Sequence, residues 1–287
     1  MKEVVVISGK GGTGKTTVTA NLAALANQFV LADCDVDAPN LHILLNPKIL
    51  EEKPFYGGNV VVRHSDRCID CGLCRVLCEF EAIAADGEID PIKCEGCNLC
   101  AVKCPMGALT RVPQHSGTLY FSETDRAPMV HARLKAGGEN SGKLVTQIKR
   151  IAAQVAKEYG CEWAIVDGSP GIGCPTIASV RGADAALIVT EPTVSGLADL
   201  KRVVQLVEQF RVRAFVIINK FDLNLTVTEE IEAFCCDRDI VVLGRLPLTQ
   251  AVVEALRRGE LLVRQGRPNP VGDELNAIWN QLNAYLS

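Results

Sequence analysis

Residues 9–16, GKGGTGKT, decide the fold of this chain because they fit the pattern G-x-x-x-x-G-K-[ST]. The apolar run VVVIS (residues 4–8) comes directly before them and a helix-like segment follows, which is the context that the pattern needs. Glycines in such a turn let backbone N–H groups face a phosphate, and the helix start adds the positive end of its dipole. The stretch therefore predicts a phosphate loop, in which Lys15 contacts the β- and γ-phosphates and the Thr16 hydroxyl binds Mg²⁺.

Short apolar runs with helix-like segments between them recur along most of the chain. The runs that follow VVVIS are FVLAD (29–33), WAIVDG (163–168), ALIVTEP (186–192), AFVIIN (214–219) and IVVLG (240–244). Strands buried on both faces of a parallel sheet have this nearly continuous apolar character. Residues 141–160 show a helical stripe that ends at Gly160, a residue type that favours helix termination. This alternation predicts an α/β fold with a doubly wound, mostly parallel sheet.

Eight of the thirteen cysteines lie between Cys68 and Cys104, in two copies of C-x2-C-x2-C-x3-C. Bacterial ferredoxins have this spacing, in which the fourth cysteine of each copy serves the cluster of the other copy. Zinc is the alternative, but four-cysteine zinc sites usually use two separate C-x2-C pairs. The spacing predicts two [4Fe–4S] clusters with crossed ligands: Cys68, Cys71, Cys74 and Cys104 for the first, and Cys94, Cys97, Cys100 and Cys78 for the second.

The region around these cysteines interrupts the alternation of strands and helices. The pair Gly57–Gly58 marks its beginning, and the helical pattern resumes at Ser141. We therefore expect a small inserted α+β ferredoxin-like domain at residues 59–112, between the two parts of the larger domain at 1–58 and 113–287. A chain of 287 residues is long enough for one large and one small domain.

The composition is that of a globular protein, with 48% hydrophobic and 22% charged residues. A net charge of −4 gives no reason to expect nucleic acid as a partner. The N-terminus lacks the pattern of a signal peptide, and the C-terminal stripe of Leu275, Ile278, Trp279 and Leu282 lacks the basic residues of a membrane anchor. We expect a cytoplasmic protein, in which thiols stay reduced and bind metals in preference to forming disulfides.

The phosphate loop carries a second lysine, Lys10, and two further segments accompany it: LADCDVDAPNL (31–41) and VDGSPGIG (166–173). Together they resemble the MinD/ParA/Mrp/nitrogenase-iron-protein group of P-loop ATPases. The resemblance implies a P-loop NTPase fold and a homodimer that closes around two ATP molecules, with Lys10 contacting the partner's phosphates. It also implies that Asp35 orients the attacking water and helps to bind Mg²⁺, and that Asp167 binds Mg²⁺ through water.

The same resemblance assigns the nucleotide ligands. They are Gly9, Gly11, Gly12, Thr13, Gly14, Lys15, Thr16 and Thr17 in the loop, and Asn219, Pro247 and Leu248 at the base. The sequence NKFD (219–222) also resembles the guanine-reading pattern N-K-x-D, so GTP is the alternative to ATP. Asp33 and Asp37 are further carboxylates with local roles.

The remaining cysteines give a weaker signal. Cys161, Cys235 and Cys236 are expected to be small core residues. Cys174 lies seven residues after Asp167, at a predicted helix start, where a thiolate is favoured. In the nitrogenase iron protein, a cysteine at a similar offset binds a cluster across the dimer axis. That site needs a second ligand cysteine with no clear counterpart here, so a buried or reactive thiol is the alternative.

These features predict an ATP-hydrolysing enzyme with Lys10, Lys15 and Asp35 as catalytic residues. Its homodimer cycle is expected to drive electron transfer through two [4Fe–4S] clusters to a partner metalloprotein. A factor that assembles or delivers an iron–sulfur or mixed-metal cofactor to a receiving metalloprotein is the first alternative. A nucleotide-gated ferredoxin or positioning switch, with hydrolysis only as a timer, is the second.

Overall fold

The structure of this chain is a computed structural model that describes residues 1–135, 141–264 and 269–287. The described residues form two compact units. The first, called the sheet unit here, contains Met1–Glu52, Leu119–Arg133 and the described residues from Ser141 to Ser287. The second, called the cysteine unit, contains Lys53–Thr118 together with Leu134 and Lys135. Residues 136–140 and 265–268 of the predicted 113–287 segment lie outside the described part.

Nine strands form one sheet in the described residues, in the order β3-β4-β5-β2-β6-β1-β7-β8-β9. The strands are β1 Lys2–Ile7, β2 Phe29–Asp33, β3 Lys48–Arg63, β4 Leu109–Glu123, β5 Pro128–Leu134, β6 Trp163–Asp167, β7 Ala185–Thr190, β8 Arg213–Asn219 and β9 Val241–Leu246. The helices are α1 Lys15–Leu25, α2 Leu41–Leu45, α3 Leu73–Val76, α4 Leu99–Lys103, α5 Ser141–Tyr159, α6 Cys174–Val180, α7 Val194–Gln209, α8 Leu225–Cys236, α9 Gln250–Arg258 and α10 Pro270–Leu286.

The centre of the sheet is parallel, and its strands are buried on both faces. Strand β1 pairs with β6 on one side and with β7 on the other, and both pairings are parallel. The pairs β2–β6, β2–β5, β7–β8 and β8–β9 are also parallel. Val4 to Ile7 and all residues of β7 are buried, as expected for apolar strands covered by helices. The predicted α/β fold with a mostly parallel sheet is confirmed.

The carboxyl ends of these parallel strands meet at one edge, and this edge carries the polar residues that matter below. Asp33 ends β2, Asp167 ends β6 and Asn219 ends β8. Asp33 and Asp167 are register partners in neighbouring strands, so their side chains begin at the same level of the sheet. In open α/β sheets, ligands bind at this edge.

The ends and the buried face of two helices, α5 and α10, follow from their sequences. Helix α5 ends where Gly160 takes a left-handed conformation with φ of +66°, which any other residue type would adopt at a cost. Asn269 is the N-cap of helix α10, and its side-chain oxygen accepts a hydrogen bond from the N–H of Val271. The C-terminal stripe of α10 is buried in the core of the sheet unit: Leu275, Ile278, Trp279 and Leu282. No helix among the described residues has both the length and the apolar character needed to cross a bilayer.

The cysteine unit is small and contains little regular structure apart from parts of β3 and β4. Helices α3 and α4 have four and five residues, and an isolated antiparallel bridge joins Ile83 to Ile89. Its buried apolar cluster consists of only four residues among those described: Val61, Ile83, Cys100 and Leu109. Four more cysteines pack against this cluster: Cys74, Cys78, Cys94 and Cys104.

The strands that enter and leave the cysteine unit are longer than the sequence pattern indicated. Strand β3 continues through the pair Gly57–Gly58, so the predicted limit at residue 59 falls inside a strand. The limit at residue 112 falls inside β4 in the same way. Strands β4 and β5 cover most of the stretch that follows, where sequence reasoning identified no element. Their alternation of polar and apolar residues is irregular, which hides them from a pattern search.

Candidate functional site

The phosphate loop connects β1 to α1 at the carboxyl edge of the sheet. Gly12 and Gly14 have φ values of +82° and +94°, a left-handed conformation that favours glycine. The Asn219 side-chain Nδ2 donates a hydrogen bond of 2.7 Å to the carbonyl oxygen of Thr13. A Cβ atom at position 14 would collide with that amide. The loop shape is therefore fixed both by its own glycines and by the end of strand β8.

Lys15 lies almost fully buried at the start of α1, with two carboxylates beside its ammonium group. Its Nζ is 2.9 Å from Asp167 Oδ1 and 3.4 Å from Asp35 Oδ2. The Thr16 hydroxyl donates to Asp167 Oδ2 at 2.8 Å. Although burial alone would lower it, the charges of Asp167 and Asp35 hold the pKa of Lys15 above its ordinary value. The structure thus brings together four residues that the sequence assigned to phosphate and Mg²⁺.

Asp33 is a buried neighbour of this group, and the sequence assigned it only a local role. Its Oδ1 accepts a hydrogen bond from the N–H of Asp35 at 3.1 Å, and its buried Oδ2 has no partner among the described residues. Burial and the nearby charge of Asp167 raise the pKa of Asp33 well above its usual range. Burial also raises the pKa of Asp35. Burial therefore disfavours the charged forms of Asp33 and Asp35, and Lys15 is the cation that the carboxylates of Asp35 and Asp167 contact.

A cavity of about 720 Å³ opens beside the loop, within the size range of small-molecule sites. Most predicted nucleotide ligands line it, together with the carboxylates of Asp35 and Asp37: Gly11, Gly12, Gly14, Lys15, Thr16, Thr17, Asn219 and Leu248. Four other predicted residues are not among its lining residues: Gly9, Lys10, Thr13 and Pro247. Apolar side chains close the far end of the cavity, among them Leu246, Val252 and Leu262.

The second lysine of the loop, Lys10, is held outside this cavity. Its Nζ is 2.7 Å from Glu191 Oε1 and donates to the Ser195 and Thr193 hydroxyls at 3.1 and 3.4 Å. Sequence reasoning missed Glu191. Its position directly after a buried apolar strand places it at the carboxyl edge of the sheet, but that position alone does not indicate which residues it contacts.

The N-K-x-D sequence after β8 does not place its aspartate in the cavity. Asp222 Oδ1 accepts a hydrogen bond from the N–H of Leu248 at 2.8 Å, and Asp222 is absent from the lining residues. Lys220 points back to the loop, where its Nζ donates to the carbonyl oxygen of Gly12 at 3.4 Å. Asp222 thus contacts a neighbouring loop outside the lining of the cavity, whereas Lys220 is one of its lining residues.

In the cysteine unit, the structure groups the eight clustered cysteines into two cavities. The first is lined by Cys68, Cys71, Cys74 and Cys104. The second is lined by Cys78, Cys94, Cys97 and Cys100. Each cavity therefore receives three thiols from one copy of the motif and the fourth from the other copy.

The two crossing cysteines have matching surroundings. The N–H of Ala82 donates to Cys78 Sγ at 3.4 Å, and the N–H of Ala108 donates to Cys104 Sγ at 3.3 Å. In both copies the donor lies four residues after the acceptor. A backbone N–H directed at sulfur stabilises a thiolate, the form that binds metal.

The thiols that line each cavity are of the kind that would hold an iron–sulfur cluster, and the clusters themselves stay a prediction. Four soft thiolates around one cavity are the ligand set of a [4Fe–4S] cluster. Each thiolate of such a cluster binds its own iron, whereas a zinc site brings all four sulfur atoms to one ion. Among the described residues, no group of three or more His, Cys, Asp or Glu side chains is arranged to hold a metal ion.

The other cysteines differ in exposure. Cys235 is fully buried, and burial raises the pKa of its thiol to about 12. Its neighbour Cys236 is exposed, so its prediction as a core residue was wrong, because adjacent residues on a helix point about 100° apart. Cys161 is only partly buried. Cys174 is the first residue of α6, so its predicted position at a helix start is confirmed. Its side chain is exposed.

Comparison with known proteins identifies the family. Residues 4–263 match the CobQ/CobB/MinD/ParA nucleotide binding domain. An uncharacterized protein of Methanocaldococcus jannaschii is 38% identical over 232 residues, which cover 77% of this chain and 79% of that protein. A second uncharacterized protein of the same organism is 27% identical over 275 residues, 92% of each chain.

Solved structures agree on the fold. The septum site-determining protein MinD of Pyrococcus horikoshii, complexed with Mg-ADP, matches with a TM-score of 0.61 and 16% identity, covering 100% of this chain and 97% of that one. The cell division ATPase MinD of Pyrococcus furiosus matches with a TM-score of 0.60 and 15% identity, over 99% of both chains. Given the family match over most of its length, this chain belongs to the CobQ/CobB/MinD/ParA family of nucleotide-binding domains.

Proposed function

We propose that this protein binds and hydrolyses ATP with Mg²⁺, and that a homodimer cycle couples hydrolysis to electron transfer through two [4Fe–4S] clusters. One observation carries the nucleotide part of the proposal: Lys15, Thr16 and Asp35 line a cavity of suitable size, and the buried Asp167 contacts Lys15 and Thr16. Membership of a nucleotide-binding family and the Mg-ADP complex of a MinD with the same fold support it.

The residues of the loop have distinct tasks in this proposal. Lys15 exchanges the carboxylate of Asp167 for the β- and γ-phosphates, and the backbone N–H groups of the glycine turn bind the same oxygens. Thr16, Asp35 and Asp167 would hold Mg²⁺, which neutralises phosphate charge when it is bound. Asp35, at the end of the β2 segment, orients the attacking water and accepts its hydrogen bond.

ATP is favoured over GTP by the position of Asp222. In the guanine-reading pattern the aspartate carboxylate must reach the base, and here it accepts a hydrogen bond from Leu248 outside the lining of the cavity. Asn219 and Leu248 do line the cavity and are the proposed base contacts. Pro247 is proposed to contribute through its backbone only.

The homodimer is supported by the position of Lys10. This lysine is one-third exposed and does not line the cavity of its own subunit, as expected for a residue that contacts a second subunit's phosphates. In the ATP-bound dimer, Lys10 of each subunit would stabilise the charge that develops on the transferred phosphate of the other.

The iron–sulfur part is supported by the two cavities with four thiols each. Cys68, Cys71, Cys74 and Cys104 would hold one cluster, and Cys94, Cys97, Cys100 and Cys78 the other. Such clusters accept and donate single electrons when bound. The N–H groups of Ala82 and Ala108 direct partial positive charge at one thiolate in each set, which would affect the reduction potential of the bound cluster. The proposed partner is a redox metalloprotein.

A second candidate function rests on the exposed thiols Cys71 and Cys97, one in each set. An exposed ligand is open to exchange with a thiol of another protein, which suits a factor that delivers a cluster to a receiving metalloprotein. Relatives named as septum site-determining MinD proteins leave a third, in which hydrolysis only times a positioning switch.

One experiment separates these candidates. The protein is reconstituted with iron and sulfide, reduced, and examined by EPR with and without ATP and Mg²⁺, beside an ATPase assay. Electron transfer coupling predicts clusters that stay bound and whose reduction potential shifts with ATP. Loss of clusters to an apo-protein favours the delivery factor, and clusters indifferent to nucleotide leave the switch. Absence of both iron binding and ATPase activity contradicts the whole proposal.

A further inference from the structure

The carboxylate of Glu191 forms ion pairs with two lysines: Lys10 in the phosphate loop and Lys220 after β8. It follows β7 directly, and its carboxylate is only 14% exposed. Oε1 is 2.7 Å from Lys10 Nζ and Oε2 is 3.2 Å from Lys220 Nζ. One carboxylate thus pairs with two cations beside the proposed phosphate site, and the three groups together carry a net charge of +1.

The ammonium group of Lys10 has all of its hydrogen-bonding capacity occupied. A lysine ammonium has three N–H donors, and three acceptors lie within reach: Glu191 Oε1, Ser195 Oγ and Thr193 Oγ1. Glu191 is the only charged group among the three. Charge-assisted hydrogen bonds are about twice as strong as neutral ones, so Glu191 contributes most to holding Lys10.

The backbone around Glu191 is firmly placed. The Thr193 hydroxyl accepts the N–H of Gly196 at 2.9 Å and caps helix α7. Gly196 packs so closely on the carbonyl group of Glu191 that a Cβ there would collide with it. Although partial burial opposes it, the hydrogen bonds from Lys10 and Lys220 hold the pKa of Glu191 below its usual value. The carboxylate is therefore ionised at neutral pH.

We propose that Glu191 is a positioning residue that holds Lys10 in the single subunit and opposes closure of the homodimer. This inference rests on the proposed function, in which Lys10 contacts the phosphates of the partner subunit. Lys10 has to leave the carboxylate of Glu191 before it reaches them. The ion pair therefore sets how much ATP is needed to form the dimer.

The test compares Glu191→Gln with the unaltered protein. The glutamine keeps the shape and the hydrogen-bond acceptor but removes the charge, so Lys10 leaves more easily. The ATP concentration that gives half-maximal dimer, measured by light scattering, is expected to fall about threefold or more, since partial exposure reduces the strength of the pair. Glu208→Gln is the matched control: it removes a carboxylate paired with Arg238 at 3.2 Å, away from the loop, and is expected to change nothing.

A second readout does not depend on the dimer. An amine-reactive reagent is added to nucleotide-free protein, and modification of Lys10 is followed by mass spectrometry. The rate of modification is expected to rise severalfold in Glu191→Gln. The carboxylate of Glu191→Asp is one methylene shorter and is expected to give an intermediate rate.

Three results would overturn the inference: an unchanged modification rate, an unchanged ATP requirement for the dimer, or a higher one. If the unaltered protein forms no dimer with ATP, the proposed dimer fails, and the modification rates still decide whether Glu191 holds Lys10.

Discussion

The phosphate loop and the cysteine unit both bring charged or reactive groups together, but they satisfy them in different ways. In the loop, the polar groups pair with each other: Lys15 with Asp167 and Asp35, and Asn219 with Thr13. Beneath the loop lie strands that are buried on both faces. The loop therefore keeps its shape with the protein's own groups alone.

The cysteine unit has far less of its own to hold it together. One of its buried clusters has four residues, and large apolar side chains such as Val76, Ile92 and Val102 are at least 70% exposed. A unit of this size buries a smaller share of its apolar surface than a larger domain does, so its stability from apolar burial alone is marginal. From this comparison we expect that the sheet unit is folded without its ligand, whereas the clusters proposed for the cysteine unit would contribute to its folding.

The largest effect is expected from Lys15→Ala, which attacks the loop alone. The variant loses the cation that faces the β- and γ-phosphates, so ATP hydrolysis should fall by about a hundredfold or more. Iron content should be unchanged, because no thiol is touched. An ATPase assay and iron analysis on the same sample check both statements, and a parallel loss of iron would contradict the independence of the two regions.

Removal of iron should affect the opposite region. In chelator-treated protein, backbone amides of the cysteine unit should lose most of their protection from hydrogen exchange, while strands such as β1 and β7 keep theirs. Hydrogen exchange with mass spectrometry measures this. Equal protection of residues 59–112 with and without iron would show that the cysteine unit is stable by itself.

Single cysteine variants sharpen the comparison within the cysteine unit. Because Cys104 and Cys71 line the same cavity, Cys104→Ser and Cys71→Ser should both remove about half of the iron and leave the same EPR signal. Cys78→Ser and Cys97→Ser should leave the other signal. If Cys104→Ser instead resembles Cys97→Ser, the fourth thiol serves its own copy of the motif and the crossed assignment is wrong.

A smaller effect is expected at His131, a buried group of the sheet unit. Burial, and to a lesser degree His42, lowers the pKa of His131 to about 4, and its Nε2 lies 2.9 Å from Ser122 Oγ. Below about pH 6.5 the unfolded chain binds a proton at this histidine that the folded chain does not, so the free energy of unfolding falls as the pH falls toward 4.

His131→Phe should abolish that part of the pH dependence. Between pH 7 and pH 5 the unfolding free energy of the unaltered protein should fall by about 2 kcal/mol more than that of the variant. Urea titrations at the two pH values measure the difference. Equal slopes with pH in the two proteins would mean that His131 is protonated in the folded state.

Much of the sheet unit could be predicted from sequence, because its signals are local. The residues of GKGGTGKT, the apolar runs and Gly160 each act within a few positions of where they stand. Glu191 could not be assigned, since its role depends on contacts with Lys10 and Lys220, which are 181 and 29 residues away in the chain. No periodicity reports such a meeting; only the topology of the sheet creates it.

In the cysteine unit, the spacing of the cysteines predicted which four thiols lie together, whereas the course of the surrounding backbone was harder to predict. Strand β3 runs through Gly57 and Gly58, residues that ordinarily interrupt strands. The exposure of Cys236 beside the buried Cys235 was missed for a related reason. Small residues fit both the core and the surface, so their identity alone does not tell which side of an element they occupy.

The hydrogen bond from Asn219 to Thr13 has a consequence for the time at which the protein becomes competent during its synthesis. The two residues are 206 positions apart, and Lys15 meets Asp167 across 152 positions. A ribosome has to complete more than two-thirds of the chain before the first few residues that it made acquire their binding shape. The motif that stands first in the sequence is thus among the last to mature.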